Sequence, residues 1–230
     1  DAFINSTLEV TKADGTKEFL GLTAAQKADF IPGFYAEGAQ FGDGKMYSLP
    51  FSKSTEVLYY NKTFFDENEL TVPTTWDQME ELCAKIKKID PNSVPLGYDS
   101  EANWFITMTE QLKTPYTSAG TDHYLWDTAE NKAFITRFTE WYTKGYLTTQ
   151  KLYGGYTSGL FVNQEADKDG KIIRSYMSIG SSAGASHQIP AAIQRVRQAG
   201  VVGIEQRQRL ATVAVIKGQA VLCQEFLSVG

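Results

Sequence analysis

Two hydrophobic periodicities alternate along this chain, and that alternation most constrains its fold. Short runs rich in aromatic and β-branched residues, Val57–Tyr60, Val94–Tyr98 and Ile172–Ile179, have the character of strands. Between them lie apolar stripes at helical spacing. One is Trp76, Met79, Leu82, Cys83, Ile86 and Ile89; the next is Trp104, Phe105, Met108 and Leu112; the third is Phe134, Ile135, Phe138, Trp141 and Tyr142. A helix with one apolar face has to bury that face, and strands between helices supply the sheet that covers it. The pattern predicts an α/β protein with helices packed on sheet faces. No internal repeat and no low-complexity tract interrupts it.

Local punctuation agrees with this reading. Leu22-Thr23 opens a short helix through Ala24, Ala25, Ala28 and Phe30. Gly42-Asp43-Gly44-Lys45 is a turn. Met46–Phe51 is expected as a strand broken by Pro50, where the chain must change direction. Asn61 caps a helix through Phe64 and Phe65. Thr75 followed by Gln78 is a capping-box pattern, and Pro91 closes the helix behind it. Ser100 and Thr128 are further caps, and Gly145 is a helix stop. Val201–Ile204 and Ala211–Leu222 are expected as later strands.

The 230 residues are 42% hydrophobic and 13% aromatic, enough for one large domain or two modest ones. Net charge is -5, which argues against a nucleic-acid partner, because phosphate neutralisation needs clustered Lys and Arg. The one basic run, Lys85–Lys88 around Ile86, is the wet face of a helix. Cys83 and Cys223 are far apart and belong to no Cys/His ligand pattern, so neither a metal nor a cofactor is expected. No apolar stretch is long enough to span a membrane. The chain begins at Asp1 among polar residues and is read as a processed or truncated product.

The block Gly44-Lys45-Met46-Tyr47-Ser48-Leu49-Pro50-Phe51-Ser52-Lys53-Ser54-Thr55-Glu56-Val57-Leu58-Tyr59-Tyr60-Asn61-Lys62 closely resembles the central block of bacterial extracellular solute-binding proteins of the maltose-binding-protein class. Pro73-Thr74-Thr75-Trp76-Asp77 resembles the family's next landmark. Ser175–Gly180 looks like the later strand that enters the binding cleft. The resemblance covers roughly residues 20–190. It implies a periplasmic-binding-protein-like fold of two lobes, here without the N-terminal part of lobe one. Residues 1–52 then form the end of lobe one and the first crossover, 53–212 lobe two, and 213–230 the second crossover and the return to lobe one. It also implies capture of a sugar, oligosaccharide or glycerol phosphate between the lobes, and delivery to the membrane permease of an ABC importer. The protein is then a monomer outside the cell, either a membrane-anchored lipoprotein or periplasmic, and no enzyme. Residues 191–212, rich in Gln and Arg, depart from the family pattern.

Candidate ligand contacts are Ser52, Ser54, Thr55, Trp104, Ser181, Ser182 and Gly184. The polar segment Ser52–Thr55 sits between apolar runs, where unpartnered hydroxyls are costly, so a cleft wall or hinge is its natural place. Ser181-Ser182-Ala183-Gly184 follows a strand and opens a helix, where free N–H groups favour an anion or a hydroxyl oxygen; a plain Ser cap is the other reading. Trp104 either stacks on a sugar ring or packs into the core with Phe105 and Met108. Tyr153–Gly159 is either a closing loop or a linker turn. Asp99, Glu101 and Asn103 either take sugar hydroxyls or sit at a helix N-terminus for its own sake. The alternative function is a serine hydrolase, because Gly180-x-Ser182-x-Gly184 matches a nucleophile elbow. That fold needs an acid and then a His downstream. His187 lies only five positions on, and His123 lies upstream.

Overall fold

A computed structural model describes residues 2–40, 42–118, 124–162, 170 and 173–188. The expected strands at Val201–Ile204 and Ala211–Leu222, the segment 191–212, Cys223 and His123 lie outside the described residues. Two compact units are present, one built from residues up to Lys53 together with Ser118, the other from the remaining described residues.

The first unit opens with a hairpin that the sequence patterns did not reveal. Strand β1 (Glu9–Thr11) pairs antiparallel with β2 (Lys17–Phe19). Asp14 closes the turn by accepting from Thr16 N at 2.9 Å and Thr16 Oγ1 at 2.6 Å. Helix α1 (Ala24–Ala28) starts at Thr23 with a full capping box, Thr23 and Gln26 satisfying each other's backbone N–H. Helix α2 (Pro32–Glu37) begins on Pro32, whose fixed φ suits a first helical position. The expected strand Met46–Phe51 does not form. Tyr47 N donates instead to Gly38 O at 2.8 Å, and a Cβ on Gly38 would meet Ser48 O at 2.1 Å. The segment is held by a glycine rather than by a sheet partner, and Pro50 cannot donate to a ladder.

The second unit is the α/β body. In chain order it comprises β3 (Glu56–Tyr60), α3 (Lys62–Glu67), α4 (Trp76–Ile89), β4 (Leu96–Tyr98), α5 (Glu101–Leu112), α6 (Ala129–Thr143), β5 (Leu147–Thr149), α7 (Gln150–Tyr153), α8 (Ser158–Val162) and β6 (Met177–Ser181). A 3-10 helix, Ser182–Gln188, follows directly. The sheet order is β3-β6-β4-β5. Strands β4, β5 and β6 are parallel, and β3 runs antiparallel to β6 with Glu56 opposite Ser181. The βαβ path from β4 through α5 and α6 to β5 explains why helices cover this sheet.

Asn61, Thr75, Ser100 and Thr128 each cap the helix expected of them, accepting a backbone N–H at 3.0–3.2 Å. Gln78 does not close the box on Thr75; its Oε1 accepts from Thr74 N at 2.7 Å and Thr74 Oγ1 at 2.8 Å. Leu58, Leu96, Tyr98, Met177 and Ile179 share one sheet face, and that face packs on Phe65 of α3, the α4 stripe, Met108 of α5 and Phe134, Phe138 and Trp141 of α6. Each such buried side chain contributes about 1.5–3 kcal/mol. Ile89, Ile135 and Tyr142, expected in these stripes, are exposed: they lie at the margins of the buried arc. Cys83 is a free, fully buried thiol whose pKa burial pushes up, consistent with a small core residue.

Candidate functional site

Three parallel strands end, and β3 begins, on one edge of this sheet. That edge collects polar groups. Ligands of open α/β sheets bind beyond the carboxyl ends of the strands, so this edge is the first place to build a site.

Thr55 and Ser182 meet there. Ser182 N donates to Thr55 O at 2.7 Å, and Thr55 N donates to Ser182 Oγ at 3.1 Å. Ser181 Oγ accepts from Ala183 N at 3.1 Å, and Ser181 O accepts from the Tyr59 hydroxyl at 3.0 Å. The serine segment is therefore tied down by its own backbone, and two of the N–H groups expected to meet an anion are already used. Ser182 keeps its side chain exposed, Ser181 and Thr55 are half-buried, and Gly184 has open space where a Cβ would stand. Ser54 is exposed at the start of this unit. Ser52 is exposed in the other.

Two carboxylates flank the same edge, one on each sheet face. Glu56 Oε2 accepts from the hydroxyls of Tyr98 and, at 2.8 Å, Thr107. Burial pushes the Glu56 carboxyl above the usual carboxylate range, the charge of Asp99 adding to it, while hydrogen bonds from Tyr98, Thr107 and Asn103 oppose the rise. Asp99 Oδ1 accepts from Thr157 N at 2.7 Å and Thr157 Oγ1 at 2.6 Å, and its Oδ2 from Gln188 Nε2 at 3.3 Å. Two glycines make room for this network. A Cβ on Gly97 would stand 2.7 Å from Thr157 Cβ, and one on Gly180 2.9 Å from Asp99 Oδ2. Thr157 is fully buried, so Tyr153–Gly159 is no free loop: α7 ends and α8 begins within it. The sequence held no signal for Glu56 or Gln188 as site residues; Glu56 lies one position past the quoted Ser52–Thr55 break.

Trp104 belongs to a different surface. Its ring packs edge-on to Phe134 at 5.4 Å and near Phe138 at 5.1 Å. It lines a groove of about 390 Å³ together with Glu101, Tyr142, Thr149, Lys151 and Leu152. The half-buried ring packs against the core and also faces that groove, whose lining does not include Thr55 or Ser182. Glu101 accepts from Lys151 N at 2.7 Å on that side, so it binds its own chain.

Among the described residues the hydrolase arrangement does not assemble. Ser182 and His187 lie on one 3-10 helix, and five residues at about 2 Å each separate them by roughly 10 Å along its axis. Ser182 Oγ meets Thr55 N rather than a base. Among the described residues, no group of three or more His, Cys, Asp or Glu is placed to hold a metal ion.

The second unit is thus a mixed α/β body with a polar edge at the carboxyl ends of its parallel strands. The chain belongs to the bacterial extracellular solute-binding protein family, whose model matches residues 5–222. A multiple sugar-binding protein of Streptococcus mutans is 30% identical over 94 residues, covering 41% of this chain and 22% of that protein. An sn-glycerol-3-phosphate-binding periplasmic protein of Rhizobium meliloti is 39% identical over 77 residues, 32% of this chain and 17% of the relative. Among solved structures, the acarbose-binding GacH receptor of Streptomyces glaucescens superposes with a TM-score of 0.55 at 15% identity, over 89% of this chain and 53% of the receptor. That likeness shows the fold. The chain spans well under two thirds of the length of each of these proteins.

Proposed function

We propose that this chain carries the second-lobe half of a capture site for a small polar solute, a sugar, oligosaccharide or glycerol phosphate, and that the whole protein delivers the solute to an ABC permease without transforming it. The observation that carries the reading is the Thr55–Ser182 edge: small hydroxyl residues, Ser182 exposed and Thr55 half-buried, tied together through their backbones at the carboxyl ends of parallel strands, in a chain of the solute-binding family. Ser52, Ser54, Thr55, Ser181, Ser182 and Gly184 are its contacts. Residues 1–52 act as the end of lobe one, 53–212 as lobe two and 213–230 as the return, with Ser52–Thr55 as a hinge that absorbs closure. The protein works as a monomer outside the cell, in the periplasm or anchored as a lipoprotein.

A thermal-shift screen over sugars, polyols and glycerol phosphates tests this. A ligand at a hundred times its Kd adds about 2.7 kcal/mol, which raises Tm by roughly 5–11 °C for a protein of this size. A flat melting temperature across the panel contradicts the proposal.

A further inference from the structure

Glu56 opens β3 and stands one peptide bond from Thr55. Side chains alternate along a strand, so it shares a face with Leu58 and Tyr60, the face that packs on α5. There its Oε2 accepts from two other elements at one atom, from the Tyr98 hydroxyl of β4 and from the Thr107 hydroxyl of α5 at 2.8 Å. Asn103, one turn earlier on α5, adds a third hydrogen bond. These three partners are neutral.

A rigid unit couples this carboxylate to the serine segment. Ser182 N donates to Thr55 O at 2.7 Å. That oxygen belongs to the peptide that joins Thr55 to Glu56, and a peptide moves as a plane. Glu56 is also the register partner of Ser181 across the ladder. Whatever turns the Glu56 backbone therefore turns the acceptor that holds Ser182 and the pairing that holds Ser181. Thr55 N donates to Ser182 Oγ at 3.1 Å, so a shift there redirects the exposed hydroxyl as well.

Ionisation decides how tightly Glu56 is held. Burial pushes its carboxyl above the usual range and the charge of Asp99 adds to the rise, against the pull of Tyr98, Thr107 and Asn103. Hydrogen bonds to a carboxylate are about twice as strong as those to a neutral carboxyl. A proton also adds a donor to a site already reached by three donors. For the fold the sign is opposite. A folded pKa above the unfolded one means that the native state binds the proton more tightly, so this group's stability is complete in acid and is lost as pH rises through the folded pKa. The ionised form is kept at a cost in stability, as groups with a functional task commonly are. Among titratable groups on the packed elements, Tyr98 and Asp99 flank it on β4, β6 carries none, and the 3-10 helix carries His187. On α5, Glu101 accepts from Lys151 N and Glu110 pairs with Tyr116. Tyr59 lies on the opposite sheet face, and Lys53, three positions upstream, pairs with Glu37.

We propose that Glu56 is a positioning residue for solute capture: its carboxylate, when ionised, ties the start of β3 to β4 and α5 and so seats Thr55 and Ser182, and its protonation in mild acid loosens that edge and weakens binding. The inference rests on the capture reading above and adds to it a control of the same site by pH.

Two measurements on the intact protein, each made on wild type and Glu56→Gln, test it. The first needs no ligand: the Ser182 amide resonance is followed from about pH 8 to about pH 4.5. It should titrate in wild type with a midpoint above the usual carboxylate range, and Glu56→Gln should lose that titration. The second is calorimetry at about pH 7.5 and about pH 5, with mono- and oligosaccharides, D-mannitol and sn-glycerol 3-phosphate. Comparing the two proteins at each pH cancels any titration of the ligand. Wild type should bind roughly threefold to tenfold more tightly than Glu56→Gln at the higher pH, the worth of charge assistance in one hydrogen bond, and equally at the lower. Glu56→Gln should melt no lower than wild type at neutral pH, because it buries no charge, whereas loss of a merely structural residue lowers affinity and melting temperature together. A Ser182 amide that ignores Glu56, an affinity ratio that is the same at both pH values, or a variant that melts well below wild type overturns the proposal and leaves capture standing. A folded protein whose Ser182 amide titrates with Glu56 but that binds nothing in the panel overturns the capture reading, and the binding role of Glu56 with it.

Discussion

Gly97 is the position where one methyl group tests the packing of the site most sharply. It lies in β4, between β5 and β6, and its missing side chain is the space that Thr157 fills. In Gly97→Ala the new Cβ would stand 2.7 Å from Thr157 Cβ and 2.8 Å from Thr157 Oγ1. Neither atom is the far end of a flexible chain. Thr157 is fully buried, and both its N and its Oγ1 are held by Asp99. Overpacking of this kind costs about 1–3 kcal/mol. Moving Thr157 also weakens hydrogen bonds to a charged group, worth about 1.5–3 kcal/mol when lost entirely. Replacing Gly by Ala restricts the unfolded chain and returns about 0.4–1 kcal/mol. With the hydrogen bonds stretched rather than broken, the net is a loss of about 2 kcal/mol, or roughly 4–8 °C in Tm. Urea unfolding of the variant beside Gly155→Ala, whose Cβ would meet nothing within 4 Å, isolates the steric effect. Equal stability for the two variants would refute the claim that the Asp99–Thr157 network is rigidly seated.

Further outcomes follow from the same contacts. Trp141→Ala should cost about 3–5 kcal/mol in urea unfolding, because the ring is fully buried and packs at 4.7 Å from Phe138. Arg137→Ala should cost less than about 1 kcal/mol, since its ion pairs with Asp77 and Glu80 are partly exposed. The Tyr59 phenol is pushed up to about 12 by burial, with the charge of Asp99 adding. Its folded pKa thus exceeds its unfolded one, so the native state holds the proton longer. Stability from this group is complete below about pH 10 and is lost as pH rises through 12, by about 2–3 kcal/mol. Alkaline unfolding that is no steeper in wild type than in Tyr59→Phe would contradict this. Ser182→Ala should weaken ligand binding by roughly twofold to tenfold, one neutral hydrogen bond's worth, measured by calorimetry; an unchanged Kd removes Ser182 from the site.

Capping chemistry was the most legible part of the sequence. Thr23, Asn61, Thr75, Ser100 and Thr128 announce helices because a short side-chain oxygen has one favourable partner, a backbone N–H two or three residues on, and that geometry is wholly local. The helical stripes were legible for the same reason, except at their margins. Strands fared less well. Met46–Phe51 has strand composition, yet among the described residues it joins no strand ladder, Tyr47 N bonding Gly38 O instead, and a strand is defined by its neighbour. Strand β5 is only three residues long, too short to show a period, and is formed by its register with β4. At the strand-end edge, the polar character of Ser181, Ser182 and Thr55 was readable because small polar residues interrupt apolar strands. Their mutual bonding across more than a hundred residues was not. Glu56 and Gln188 were hidden for a similar reason: their meaning lies in Tyr98, Thr107 and Asp99, which only folding brings to them.

Capture of a small polar solute without chemical change is the proposal on which the rest depends. The most direct measurement is to load the intact protein with a candidate sugar or polyol, remove free ligand by gel filtration, denature the complex and identify what is released by mass spectrometry. The account predicts one equivalent of the solute per chain, with its mass unchanged. Recovery of a hydrolysed product, or of no ligand from a folded protein under saturating conditions, would contradict it.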